Sequence, residues 1–186
     1  MFQVRIHGRG SQGVVTAAEM LSIAAFAEHK HAQAIPSFGS ERMGAPVVSY
    51  VRIDDQAIEL TEPVMAPDLL IIQDPTLFHS VDVFSGLAAD GFVLINSARS
   101  VAELQIQEIA DRLPVHHVVP VAATELAMYH LGRPTPNTVL LGALTALTDV
   151  IQLESVIKAI EDKFSGEVAQ RNIAAARAAH DAARAA

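Results

Sequence analysis

Cysteine is absent from the 186 residues, so the chain forms no disulfide and holds no metal cluster through thiolates. Charge is scarce: 18% of residues are charged and 51% hydrophobic, against a typical charged share of ~25%. Much of the apolar excess is alanine, yet so little charge points to surface that partners cover. Basic residues are the scarcer sign. Thirteen Lys and Arg stand against 21 Asp and Glu, and the net charge of −8 argues against nucleic acid, whose phosphates need a basic face. No apolar run reaches the ~18 residues that cross a bilayer. Met1 leads straight into a strand with no leader-peptide pattern, so a cytoplasmic setting away from membranes is expected. The length suits a single domain over residues 1–186 with a full core.

What is present is concentrated near the start. Phe2–Ile6 reads as a strand, His7-Gly8-Arg9-Gly10-Ser11-Gln12-Gly13 as a turn, and Thr16–Ala27 as a helix of strong helix formers. Strand, glycine turn and helix together aim free backbone N–H groups and the positive end of a helix dipole at an anion. Gly8, Gly10 and Gly13 satisfy the G-x-G-x-x-G spacing of dinucleotide sites, although glycines also serve tight turns that bind nothing. A nicotinamide site further needs a second parallel strand ending in an acid about 20 residues on. Residues 32–46 carry two glycines, two prolines and two serines, which reads as a loop without that acid.

Further along, Val47–Ile53 alternates as a half-buried strand, and Ala57–Leu60 after the Asp54-Asp55-Gln56 turn reads as its hairpin partner. Leu69–Gln73 and Gly91–Asn96 are short apolar runs that suit buried parallel strands, and Val115–Val121 completes the set. A short helix is expected from Pro75 to Phe84, and another from Ser100, as N-cap, to Arg112. The last third is helical over Ala122–Leu131, Asn137–Thr148, Leu153–Phe164 and Gly166–Ala186, its alanine-rich end either docked on a neighbour or frayed. Alternating strands and helices give an α/β class: a mostly parallel sheet with flanking helices, one hairpin and a helical C-terminal third. Ligands in such sheets sit at the carboxyl ends of the strands, so His7-Gly8, Asp74-Pro75, Asn96-Ser97 and Val119-Pro120 should line one edge. Residues 1–53 carry five basic and three acidic groups, a charge of +2, and the other 133 residues carry −10. An anionic small molecule is therefore expected at the glycine-turn end.

Gly8-Arg9-Gly10-Ser11-Gln12-Gly13, Ala32-Gln33-Ala34, Ser37–Pro46 and Gln73-Asp74-Pro75-Thr76 together resemble the gamma subunit of thiamine-dependent 2-oxoacid:acceptor oxidoreductases, of the pyruvate:ferredoxin type. Gly91–Asn96 and Pro136-Asn137-Thr138-Val139 extend the likeness over roughly three-quarters of the chain. The resemblance implies a non-autonomous subunit that helps bind coenzyme A and carries no catalytic group of its own. Thiamine diphosphate and iron–sulfur clusters would then belong to partner chains, the alpha, beta and ferredoxin-like subunits. The missing cysteine and the missing Gly-Asp-Gly thiamine motif agree with that division. Ser11 departs from the pattern, where many members carry glycine; serine fits such a turn at negative φ, and its hydroxyl adds a donor.

Gly10, Ser11, Gln12 and Gly13 are thus the candidate contacts for phosphate or pantetheine, with a ligand-free turn as the alternative. Arg42 is the candidate cation for a coenzyme A phosphate, or else the ion-pair partner of Glu41 or Glu28. Arg9 is a similar case that could face a partner subunit instead. Asn137 is a candidate ligand contact or simply a helix N-cap, and Asp74 a ligand-orienting group or a turn residue. His29 and His31 lie at a helix end, and His116 and His117 on opposite faces of a strand, so no metal site is expected from them. A pyruvate-type substrate is favoured by the loop through Arg42, with aryl 2-oxoacids such as phenylglyoxylate or indolepyruvate and the electron acceptor left open. A stand-alone nucleotide-binding or regulatory module is the reading from a different class.

Overall fold

The computed structural model describes residues 1–37 and 43–186. Among these residues six strands form one sheet: β1 Phe2–Arg9, β2 His31–Pro36, β3 Pro46–Asp54, β4 Leu69–Ile72, β5 Phe92–Asn96 and β6 Val118–Val121. Their order is β2-β3-β1-β4-β5-β6. β1, β4, β5 and β6 run parallel, while β3 is antiparallel to both β1 and β2. Six helices follow in chain order: α1 Val14–Ala27, α2 Gln107–Arg112, α3 Ala123–Leu131, α4 Asn137–Leu147, α5 Leu153–Lys163 and α6 Gly166–Arg184. The expected α/β class and the helical last third are what the chain builds.

Strand periodicity divides the core in two. Val4, Ile6, Val51, Ile53, Leu69, Ile71, Leu94, Val119 and Val121 face α1, α3, α4, α5 and α6. Leu70, Ile72, Val93 and Ile95 face the opposite way, onto Leu77, Val83, Leu104 and Ile106 from the connecting segments. The alanine-rich α6 is docked, not frayed: Ala169, Ala175, Ala176, Ala179 and Ala183 are buried. A Cβ on Gly142 of α4 would run into the Ala176 carbonyl, so the small residues serve close helix packing within the chain.

Several expectations need correction, among them the short helix from Pro75, which ends at His79 and not at Phe84. Residues His31–Pro36 are strand, not loop, because β3 gives them a full antiparallel partner from His31 opposite Asp54 to Pro36 opposite Ser49. This strand lies two places from β1 and leads into Ser37 without an acid, so it is topology, not a loop, that argues against a nicotinamide site. Ala57–Leu60 is not the hairpin partner of β3; that role falls to β2. The segment beyond β3 crosses the sheet face and gives its carbonyls to side chains: Gln33 Nε2 donates to Leu60 O (2.7 Å) and the Arg52 guanidinium to Glu62 O (2.7 Å). The helix expected from Ser100 is broken. Ser100 and Glu103 form a capping box, with Ser100 N–H donating to Glu103 Oε2 at 2.7 Å, but Gln105 takes a φ of +60° and α2 starts only at Gln107. His116, at φ +66°, lies in the turn before β6, while His117 bonds the Gly91 carbonyl through Nδ1 (3.1 Å) and stacks on Phe92.

Candidate functional site

The parallel order reverses between β1 and β4, where consecutive connections leave in opposite directions and open a crevice at the carboxyl ends. The glycine turn stands over that crevice. Gly8, still in β1, lets α1 approach: a Cβ there would sit 2.5 Å from Val14 Cγ2 and 3.3 Å from Gln73 Cβ. Gln12 N–H then bonds the Arg9 carbonyl at 3.0 Å, closing a tight turn with Ser11 at φ +79°. This corrects the expectation of a negative φ. A turn with its third residue in the left-handed region wants glycine there, and serine occupies the position at a conformational cost.

Gly13, at φ +72°, is the residue before α1 and accepts the first helical bond, Ala17 N–H to Gly13 O at 2.9 Å. The N–H groups of Val14, Val15 and Thr16 precede that bond and have no acceptor within the helix. Among the described residues no side chain caps α1, and its first turn contains no acid. These groups, with Arg9, Gly10, Ser11, Gly13 and Val47, line a pocket of about 300 Å³. An uncapped helix end beside a guanidinium is an anion-binding arrangement.

Arg9 is held for that place. Its Nε lies 3.1 Å from Asp74 Oδ2, one terminal nitrogen donates to Thr76 Oγ1 (2.9 Å), and the other to the Gly44 carbonyl (3.0 Å). Asp74 also accepts from the Gln12 amide (3.0 Å) and from the Thr76 N–H and hydroxyl (3.0 and 2.6 Å). Burial alone would push its carboxyl up. The bonds from Thr76 and Gln12 and the nearby Arg9 charge outweigh that and hold it below the usual range, as a carboxylate. Asp74 is at once a turn residue, capping the short helical turn Pro75–His79, and the counter-ion that orients Arg9.

Of the candidates, Gly10, Ser11 and Gly13 share the anion pocket. Gln12 points the other way: its Oε1 accepts from Arg9 N–H (2.7 Å), and it borders a second pocket of about 350 Å³ with Gln73, Asp74, Asn96, Ser97 and Thr124. Of the expected strand ends, Asp74-Pro75 and Asn96-Ser97 line this edge; β1 runs on to Arg9 and β6 to Val121, so Arg9 and Ala122 stand there instead of His7-Gly8 and Val119-Pro120. Asn137 is not an N-cap; Pro136 precedes α4, and the Asn137 side chain lies against Gly13, its Nδ2 3.5 Å from the Gly13 carbonyl. Arg42, with Phe38 to Glu41, falls outside the described residues.

Sequence reading missed the polar side of β1. Arg5 and His7 are both buried; Arg5 Nε donates to His7 Nε2 (3.0 Å) and its terminal nitrogens to the carbonyls of Val64, Val83 and Ser85. Burial, helped by the Arg5 charge, lowers the His7 pKa to about 4, so the ring is a neutral acceptor. The alternation of Gln3, Arg5 and His7 against Val4 and Ile6 was the available signal.

Known proteins share this architecture. The profile of the family described as Pyruvate ferredoxin/flavodoxin oxidoreductase matches residues 3–182. The chain is 44% identical over 181 residues to a Pyrococcus abyssi protein named "Pyruvate/ketoisovalerate oxidoreductases common subunit gamma", spanning 97% of this chain and 96% of that one. It is 42% identical over 181 residues to the Methanothermobacter marburgensis protein named "Pyruvate synthase subunit PorC", covering 97% of each. The crystal structure of pyruvate oxidoreductase subunit PORC from Thermotoga maritima superposes with a TM-score of 0.82 at 33% identity, over 97% of this chain and 96% of that one. Sequence and fold agree over nearly the whole length: the chain belongs to the pyruvate ferredoxin/flavodoxin oxidoreductase family.

Proposed function

We propose that this chain is the gamma subunit of a multi-subunit oxidoreductase that decarboxylates a 2-oxoacid of the pyruvate type and passes the acyl group to coenzyme A. Its own task is to hold coenzyme A. The observation that carries this reading is the uncapped start of α1 beside the pinned Arg9. Phosphates of the coenzyme would rest on the N–H groups of Val14, Val15 and Thr16, with Gly10, Ser11 and Gly13 giving backbone clearance. Asn137 supports Gly13 from behind, and Arg42 is the further cation. Each charge-assisted bond contributes ~1.5–3 kcal/mol, and the helix end adds ~0.3–1 kcal/mol. Two or three such contacts outweigh repulsion from the acidic remainder, which salt screens beyond about 8–10 Å.

Redox chemistry is assigned to the partner chains. Thiamine diphosphate, when bound there, supplies the carbanion chemistry of decarboxylation, and iron–sulfur clusters take thiolate ligands that this cysteine-free chain lacks. Purification of the native complex should therefore bring down chains that contain both groups; a lone, colourless protein would contradict the proposal. In the assembled complex, Arg42→Ala should raise the KM for coenzyme A about tenfold or more, since each ~1.4 kcal/mol is a factor of ten. The KM for the 2-oxoacid should barely move. A coenzyme A KM within twofold of the parent would make Arg42 an ion-pair residue and leave the assignment to the turn and Arg9.

A further inference from the structure

We propose that the pocket of about 350 Å³ beside the glycine turn is a second subsite, which takes a neutral donor–acceptor edge of the same ligand through the side-chain amide of Gln73. The inference rests on the coenzyme A reading of the neighbouring turn. Gln73 follows β4 and borders the pocket, yet its side chain is 1% exposed. Neither its Oε1 nor its Nε2 has a hydrogen-bond partner among the described residues. Buried amides are nearly always bonded, because an unpaired one loses its hydration and receives nothing in exchange. The other two amides at this pocket are committed. Asn96 donates to the Gln73 carbonyl and to Thr124 Oγ1 and accepts from Thr124 N–H, while Gln12 is shared between Arg9 and Asp74. Gln73 is the reader left free among them.

The charges around it define what it reads. Asp74 and Glu125 are the ionisable residues of this pocket, and both are acidic, whereas the pocket on the far side of the Arg9–Asp74 pair carries the cation. Phosphate therefore belongs on the Arg9 side and an uncharged group on the Gln73 side. An amide presents a donor and an acceptor side by side, and its natural complement does the same: a purine edge or another amide. Coenzyme A contains both, the purine in its phospho-ADP half and two amides in its pantetheine half. On binding, the Gln73 amide turns outward about its own torsions to meet that edge, with the ligand relieving its unpaired state.

The test is calorimetric titration of the assembled complex with coenzyme A and, separately, with its phospho-ADP and pantetheine halves. Gln73→Leu and Gln73→Met are the variants, the second keeping the length of the side chain should the first pack badly. Either should weaken coenzyme A about tenfold or more, since the partner edge on the ligand loses its bond. The loss should recur in one half only, and that half identifies the edge. Melting temperature should hold or rise in the same variants, because removing an unpaired buried amide does not harm the fold; a merely structural glutamine would give the reverse pattern. Coenzyme A binding within twofold of the parent in both variants overturns the subsite. Gly13→Val distinguishes the two levels: if it weakens binding while the Gln73 variants do not, only the subsite falls. If Gly13→Val also leaves binding unchanged, the coenzyme A reading of the turn falls with it.

Discussion

Arg5 and His7 show how single residues on β1 were legible in pattern but not in meaning. Their alternation with Val4 and Ile6 gives a two-faced strand, and a sheet face next to a strand so apolar is normally taken as solvated. Here that face is covered by the segments carrying Val64, Val83 and Ser85, whose carbonyls satisfy Arg5. Nothing local announces that cover, since it comes from about 60 to 80 residues away. A pH dependence follows. His7 is neutral in the folded chain, with its pKa lowered from 6.5 to about 4, so the unfolded chain binds the extra proton between those values. Stability is fully present above pH 6.5, falls as pH drops toward 4 and levels below it, by about 3 kcal/mol in all. Denaturant melts at closely spaced pH values should show this slope in the parent and its loss in His7→Gln, which keeps an acceptor for Arg5 but does not titrate. Equal slopes in the two would remove His7 as the cause. Ser11 escaped a sequence reading for a similar reason: its identity is visible, but its φ of +79° is set by the Arg9–Gln12 turn around it.

Elements were legible where their own sequence decides them. The apolar runs of β4 and β5 and the amphipathic or alanine-rich runs of α3 to α6 fall within a residue or two of expectation. Elements that depend on a partner were not. β2 ends in proline and is half-buried, and it is a strand because β3 pairs with it along its whole length. The break at Gln105 turns one expected helix into a capped turn and a short helix, a left-handed residue that propensity does not foresee. The α4–α6 contact makes the most testable statement at this scale. Gly142 meets the Ala176 backbone so closely that any side chain must part the helices. Gly142→Val should cost at least about 1–3 kcal/mol through overpacking alone, read as a lower denaturant midpoint with unchanged slope. A midpoint equal to the parent's would mean that α6 is held elsewhere.

Across the whole molecule, the charge division read from the sequence maps only in part onto the edge that carries the glycine turn. The net-positive first 53 residues contribute β1, the turn, α1, β2 and β3, but of their described basic residues only Arg9 lines the pocket at the start of α1. Lys30 lies past the other end of that helix, and Arg5 and Arg52 are engaged by carbonyls and side chains elsewhere. Family membership was legible from short motifs, of which the turn through Gly13, the Gln73-Asp74-Pro75 segment and Asn96 lie at the edge that the parallel sheet gathers, whereas Ala32-Gln33-Ala34 lies inside β2. Gln73 and the Arg9–Asp74–Thr76 set were not legible as a site, since only the register of β4 beside β1 brings them together. The central claim is that this edge holds coenzyme A, with Arg9 as its oriented cation. The direct measurement is equilibrium titration of coenzyme A into the assembled complex with parent and Arg9→Ala gamma chains, after equal assembly has been established. The account predicts a dissociation constant about tenfold or more higher for Arg9→Ala, one charge-assisted bond being ~1.5–3 kcal/mol, with the KM for the 2-oxoacid unchanged within twofold. A dissociation constant equal to the parent's within twofold would contradict it.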